Sequence, residues 1–479
     1  MAGSDELALV LDQGGSSSRA LILNACGDVV AAAQRQVVTR RPHPGWVEQD
    51  PRQVVDSLRE VAISAVAGLT QQQRAALQVA GLVCQRSSLV GWCRDTGEPL
   101  TPVISWQDTR NSEWLKQQPL DRRRIQQLTG LFPNGHFGAS KMRWCLDHLP
   151  ELAMSASLAL APLASFLVYS LLEERPYIVD PANASRTLLM NLQQRQWSAE
   201  LLRDFGLERL SLPEIAPSLA MHGHLSVGGL KLPFNLLNGD QSAAAFAGGV
   251  PQSERAYINL GTGAFIYRVL SRPEIPEKLL CSVLAAGPSG VWYAQEGTVN
   301  GAASALQWLA ERQGREGDQL PTADRLLDIQ QQLPLFINSV GGLGSPDWRP
   351  DIAPHFVGEG REQDKPLAVL ESIAFLLMRN FEHLYATAPR PCSLIVSGGL
   401  SRLDALCQLL ADLTGVTVER VEEMEASARG AGFLLLGARG YWRGGVTTPF
   451  APIARPIAGE RYRRWTRLME ELLSNSGDR

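Results

Sequence analysis

Asp12 stands at the head of a turn, Gly14-Gly15-Ser16-Ser17-Ser18-Arg19, between the apolar runs Leu9-Val10-Leu11 and Ala20-Leu21-Ile22-Leu23. Glycines let backbone N–H groups close on an anion, and serine hydroxyls add donors. An aspartate in the same turn can hold Mg²⁺, usually through water. An ordinary glycine-rich hairpin accounts for the same residues, because short apolar runs bounded by turn residues read as paired strands. A second acidic turn, Asn238-Gly239-Asp240-Gln241-Ser242-Ala243, puts Asp240 at the start of a small-residue helix. A carboxylate is favoured there and stays ionised, and a plain N-cap would look the same. Two further glycine turns follow strand-like runs: Gly261-Thr262-Gly263 and Gly398-Gly399. A Gly-Gly at a helix start accepts a flat ring or a phosphate, or simply permits tight packing.

Elements that alternate in type must hold these turns. Val54, Leu58, Val61, Ala62 and Ala65 mark an amphipathic helix after Pro51, and residues 79–83 and 90–92 read as strands. Met142, Cys145, Leu146 and Leu149 give another helical stripe, and the mixture argues for an α/β architecture. The strand–turn–strand logic of the opening returns at 256–267, roughly half a chain later. This predicts two duplicated lobes with a cleft between them, joined near Gly248-Gly249-Val250-Pro251. The expected units are 6–247, 253–442 and a C-terminal extension, 443–479, whose residues 460–473 form a basic amphipathic helix that docks on the body. The apolar run 158–172, which contains Pro162, reads as a buried helix.

Composition narrows the function classes. The 479 residues are 45% hydrophobic and 20% charged, with net charge −4 and pI near 6.1, which gives no electrostatic reason to expect nucleic acid or an anionic membrane. The start, Met1-Ala2-Gly3-Ser4-Asp5-Glu6, is acidic, unlike a signal peptide. Seven scattered cysteines without a C-x-x-C pair fit reduced thiols in a cytoplasm. His222 and His224 read as residues of a solvent loop rather than a metal site. A dinucleotide-binding oxidoreductase is disfavoured, since Gly261-x-Gly263 lacks the third glycine and leads into a strand.

Taken together the motifs resemble one family, the FGGY carbohydrate kinases, and within it the glycerol kinases. The resemblance rests on the Asp12 turn and on Pro44-Gly45-Trp46-Val47-Glu48-Gln49-Asp50-Pro51, Ser105-Trp106-Gln107-Asp108-Thr109-Arg110 and Phe137-Gly138-Ala139-Ser140-Lys141-Met142-Arg143-Trp144. Asn183-Ala184-Ser185-Arg186-Thr187, Gly239-Asp240-Gln241, Gly261-Thr262-Gly263, Gly342-Leu343-Gly344-Ser345-Pro346-Asp347-Trp348 and Leu370-Glu371-Ser372-Ile373-Ala374 follow in family order. It implies two lobes of the actin/hexokinase type (ribonuclease H-like), with ATP and a small sugar or polyol meeting in the cleft. By the same resemblance Asp12 organises Mg²⁺, while Gly14, Ser16, Ser17 and Arg19 face Gly261, Thr262 and Gly263 across the phosphates. Ala303 and Gln307 lie along the nucleotide, Gly398 and Gly399 border the adenine, and Asp240 is the general base. The acceptor contacts would be Arg86, Ser87, Trp106, His136, Asp240, Gln241 and Phe265. Phosphoryl transfer needs charge screening and in-line positioning more than covalent help, which suits such turns.

Several residues depart from the pattern. Glycerol kinases carry Gln-Arg-Glu where this chain has Gln85-Arg86-Ser87, and a tyrosine where it has His136. A site built to bind hydroxyls discriminates sharply when a partner is missing, so glycerol is expected to be a poor substrate beside a longer polyol or sugar. Gly15 replaces a threonine, and Leu403 and Asp404 stand where an asparagine helps hold adenosine. The loop that binds fructose 1,6-bisphosphate in bacterial glycerol kinases is not recognisable at 224–232. A true glycerol kinase and a non-catalytic nucleotide-binding protein on the same scaffold are the alternative readings, and a homo-oligomer is compatible with all three.

Overall fold

The computed structural model describes residues 6–149, 152, 157–314, 323, 325–328, 330–422, 425–437 and 441–475; the acidic start, residues 1–5, lies outside them. The first sheet comprises β1 (Leu7–Gln13), β2 (Ser17–Asn24), β3 (Val29–Gln36), β4 (Leu77–Cys84), β5 (His224–Val227) and β6 (Leu230–Gly239), in the order β5-β6-β4-β1-β2-β3. The second comprises β7 (Arg255–Leu260), β8 (Ala264–Leu270), β9 (Leu280–Gly287), β10 (Gly290–Val299), β11 (Ser393–Ser397), β12 (Thr417–Val421) and β13 (Thr447–Phe450), in the order β9-β10-β8-β7-β11-β12-β13. In each sheet an antiparallel trio is followed by two parallel neighbours and an antiparallel edge strand: β3-β2-β1-β4-β6-β5 in one and β10-β8-β7-β11-β12-β13 in the other. The repeated hairpin thus extends to a repeated sheet, the α/β two-lobed architecture anticipated above.

The helices that matter for the site are α1 (Pro51–Ala67), α2 (Gly138–His148), α3 (Asp240–Ala244), α4 (Ala303–Arg312), α5 (Lys365–Leu384), α6 (Asp404–Thr414), α7 (Ala426–Leu436) and α8 (Pro456–Asn475). Asp50 caps α1 by accepting from the Arg52 and Gln53 amides at 2.9 and 3.4 Å, and the stripe Val54, Leu58, Val61, Ala62 and Ala65 is buried against β1 and β2. In the second lobe α5 is buried over most of its length against β8 and β10. Helix α7 comes from the second half of the chain, yet Ala428 and Ala431 pack against Val10, Leu21, Val83 and Leu236 of the first sheet. Gly430 makes this approach possible, since a Cβ there would meet the Ala243 carbonyl oxygen at 1.8 Å. Two hydrophobic cores are therefore joined by a helix that the second lobe lends to the first.

Helix α8 docks: Ala458, Tyr462, Trp465 and Met469 lie in the core of the second lobe, and Arg461 pairs with the buried Glu371 at 2.6 Å. Two expectations are corrected. The run 158–172 is not one helix but a strand, Leu158–Pro162, followed by a helix, Leu163–Leu171. The strand is apolar throughout because it is fully buried, which erases the alternation that would have marked it; it lies at a sheet edge, where Pro162 costs no ladder bond. His222 and His224 do not share a solvent loop. His222 is buried with its amide on the Phe234 carbonyl, whereas His224 lies in β5 with Nδ1 2.7 Å from Glu174. Helix α6 begins at Asp404, after a 3-10 turn at Gly399–Arg402, so Leu403 precedes the helix.

Candidate active site

Strand β1 delivers Asp12 to the inner end of the first sheet, where its Cα pairs with Arg19 across the hairpin. The Gly14 amide closes the turn on the Ser17 carbonyl at 2.9 Å. Asp240 arrives from β6, two strands away, as the first residue of α3 with Gly239 as its cap. Parallel pairing of β6 to β4 and of β4 to β1 brings both carboxylates to the same end of the sheet. They wall a cavity of about 200 Å³ together with Gly14, Ser16, Ser17, Arg19 and Ser427. A larger cavity of about 890 Å³ continues from Asp12 and Arg19 past Arg86, Gln241, Phe265, Tyr267 and Glu296 to Gly398 and Gly399.

Electrostatics set these groups apart from ordinary carboxylates. Burial, and then the facing charge of Asp240, push Asp12 up to about 7, with Arg19 opposing. Burial also raises Asp240, against the pull of Arg86. Two repelling carboxylates on the wall of one cavity suit a divalent cation, which would supply the missing positive charge. Among the described residues no three His, Cys, Asp or Glu side chains converge on one point. A cation at Asp12 would therefore draw most of its ligands from phosphate and water, the habit of Mg²⁺. The residues present fit that ion.

Arg86, Ser87, Trp106 and His136, expected to contact the acceptor, come from three loops. Arg86 donates to Ser242 Oγ at 3.1 Å and to Gln241 Oε1, and burial and Arg186 pull its pKa down to about 10, still fully charged at neutral pH. Ser87 has φ of 65°, a left-handed conformation costly for a residue with a Cβ. The Trp106 amide donates to Ser88 Oγ at 2.9 Å, and the Trp106 carbonyl accepts from His136 Nδ1 at 3.0 Å. The Trp106 indole nitrogen lies 3.7 Å from where a Gly15 Cβ would sit, so Trp106 borders the Gly14–Ser17 turn.

Not every expected residue meets there. Ser87, Trp106 and His136 line neither cavity, and neither do Gly261, Thr262, Gly263, Ala303 and Gln307. The turn at 261–263 instead caps α4: the Thr262 carbonyl accepts from the Ala302 and Ser304 amides, both at 3.1 Å, and Gln307 donates to Glu311 at 3.0 Å. Gly398 has φ of 96°, and a Cβ there would collide with the Leu260 backbone at 2.6 Å, so this glycine serves close packing; at Gly399 the space is open.

The structure adds groups to which the motifs assigned no role. Glu425 receives the Arg19 guanidinium at 2.6 Å, although the two stand 406 positions apart. Arg186 and Glu296 form a buried pair at 2.9 Å that links the lobes, and Glu296 and Tyr267 wall the larger cavity. Arg186 lies within a recognisable motif; Glu296, Tyr267 and Glu425 carry no local signal.

Known proteins resemble this chain over nearly its whole length. The family model for the N-terminal domain of the FGGY family of carbohydrate kinases matches residues 7–247, and that for the C-terminal domain matches residues 256–439. A glycerol kinase from Alkalilimnicola ehrlichii is 34% identical over 485 residues, covering 96% of this chain and 97% of its own. Among solved structures, a Plasmodium falciparum glycerol kinase with ADP superposes with a TM-score of 0.85 at 22% identity, covering 99% of both chains. A ligand-bound xylulose kinase from Lactobacillus acidophilus gives 0.84 at 20%, again over 99% of both. At such identities the two structures speak for the fold alone.

Proposed function

Because the chain belongs to the FGGY family of carbohydrate kinases, we propose that it transfers the γ-phosphoryl group of ATP to a hydroxyl of a sugar or polyol longer than glycerol, with Asp240 as general base. The observation that carries this reading is the shared cavity of Asp12, Ser16, Ser17, Arg19 and Asp240, in which a buried carboxylate stands beside a glycine- and serine-rich turn.

Each residue then has a task. The Gly14–Ser17 turn and Arg19 hold the terminal phosphates, and Arg19 exchanges Glu425 for phosphate oxygen as the nucleotide enters. Arg86 and Gln241, already bonded to one another, orient the acceptor so that its hydroxyl meets Asp240. Burial raises the basicity of Asp240, with the Arg86 guanidinium opposing that rise, which suits it to accept the hydroxyl proton as the oxygen attacks phosphorus. Mg²⁺ bound at Asp12 would screen phosphate charge as it shifts to the leaving ADP. Glycerol kinase is the second reading, favoured by the name of the relative at 34% identity. Against it stands Ser87, which leaves the acceptor loop without a carboxylate beside Arg86.

The test is ADP release from MgATP across polyols, aldoses and ketoses, glycerol included. Turnover of a longer acceptor, reduced 10²–10⁴-fold in Asp240→Ala, is the expected result. Efficient turnover of glycerol alone would favour the second reading. Silence across the panel while ATP still binds would refute both.

A further inference from the structure

Lys141 is fully buried on α2, and all three of its hydrogen-bond acceptors are backbone carbonyls: Ser105 at 2.7 Å, His136 at 2.9 Å and, more weakly, Ser87 at 3.4 Å. An ammonium has three donors and no acceptor, so the match is complete. Each carbonyl belongs to a different loop, and each loop carries an acceptor-side residue: Arg86 and Ser87, Trp106, and His136. We propose that Lys141 is a positioning residue for the acceptor, tying these three loops into one wall of fixed shape. The inference rests on the phosphotransferase reading above.

The loops need such a tie. Ser87 holds a left-handed backbone that local preference opposes, so tertiary contacts must keep it there. Side-chain bonds extend the tie to the phosphate turn. Ser88 Oγ, which receives the Trp106 amide, donates to Gln85 Oε1 at 3.1 Å. Gln85 Nε2 in turn donates to Gln13 Oε1 at 2.9 Å, next to Asp12 in β1. The acceptor wall and the phosphate turn are thereby held in one hydrogen-bonded unit with Lys141 at its centre. Misplacing such a wall by about 1 Å costs on the order of 10²-fold in rate. An apolar side chain at 141 would remove the one donor shared by the three loops: the Ser87 and His136 carbonyls would lose their bonds to Lys141, and the Ser105 carbonyl would keep only the Asp108 amide at 3.0 Å.

Burial also pulls Lys141 down to about 7, so loss of its proton near neutrality withdraws one donor from the three carbonyls. The charged and titratable groups facing it are Asp108, Arg110 and the His136 ring. Asp108 and Arg110 are paired to one another at 2.8 Å, and His136 is shifted toward its neutral form by burial. Arg110 lowers Lys141 and Asp108 opposes.

The experiment uses the full chain as wild type, Lys141→Met and Lys141→Arg, with glycerol, xylitol, D-xylulose and D-gluconate as acceptors. Acceptor and MgATP are varied separately from pH 6 to 9. Lys141→Met is expected to raise the acceptor KM at least 10-fold with the MgATP KM within 2-fold. The wild-type acceptor KM should climb above pH 7, and Lys141→Arg, charged throughout, should lose that climb. The pH arm decides the matter even if Lys141→Met does not fold. An unchanged acceptor KM in folded Lys141→Met, an equal rise in both KM values, or identical pH profiles for wild type and Lys141→Arg would overturn the Lys141 assignment alone. Wild-type silence with every acceptor while MgATP binds would overturn the phosphotransferase reading, and the role of Lys141 with it.

Discussion

Replacing Ser87 by glutamate should turn the acceptor loop toward glycerol. Ser87 adopts φ of 65°, and glutamate, also unbranched at Cβ, meets the same backbone cost, so the turn should persist. Lys141 bonds the carbonyl of residue 87 and Arg86 bonds Ser242 and Gln241, so neither contact depends on the serine side chain. The new carboxylate would stand beside Arg86, whose guanidinium is bonded only to neutral side chains among the described residues. A hydrogen bond from a small hydroxyl to a charged group contributes about 1.5–3 kcal/mol. At 1.4 kcal/mol per factor of ten, kcat/KM for glycerol should rise about 10- to 150-fold. The longer acceptor should lose activity, since the added side chain fills space and competes for Arg86. Coupled ADP-release kinetics on both acceptors, with a thermal melt to confirm folding, read the outcome. An unchanged glycerol kcat/KM in a folded Ser87→Glu protein, with the longer acceptor unaffected, would refute the reasoning that residue 87 sets the acceptor.

Other consequences follow from buried charge and from the terminal helix. Asp12 is raised from 3.8 to about 7, so its ionisation opposes folding; that penalty is absent below pH 4, grows through the interval and is complete above about pH 7. Asp12→Asn should therefore raise the melting temperature of the nucleotide-free protein at pH 8 by several degrees, with little effect at pH 4, while abolishing Mg²⁺-dependent turnover. Melts at the two pH values check this, and a destabilised Asp12→Asn at pH 8 would contradict it. Trp465 is completely buried in the second lobe, and Trp465→Ala should cost about 3–5 kcal/mol in urea unfolding, whereas a loosely attached appendage would tolerate it.

Local chemistry made part of this protein legible from its residues alone. The Asp12 turn, the spacing of α1 and the two hairpins each depend on neighbours within a few positions, and a buried stripe leaves a 3.6-residue period whatever it packs against. The docking of α8 was readable for the same reason: Ala458, Tyr462, Trp465 and Met469 recur at helical spacing. The residue types at 86, 240 and 241 also announced their chemistry, but not their distance from one another.

What the sequence could not carry was partnership between distant segments. Residues 158–162 are strand rather than helix because burial on both faces removes any period, and only pairing with Leu89–Cys93 settles the matter. Nothing near Arg19 signals Glu425, and nothing near Gly430 signals that α7 packs on the first sheet; both depend on how the second half of the chain folds back. Lys141 is the sharpest case. Its lysine was visible within a motif, yet its three acceptors are backbone carbonyls, which every residue possesses and no side-chain pattern records. Periodicity tells which face is buried; only the tertiary fold determines what is buried against it.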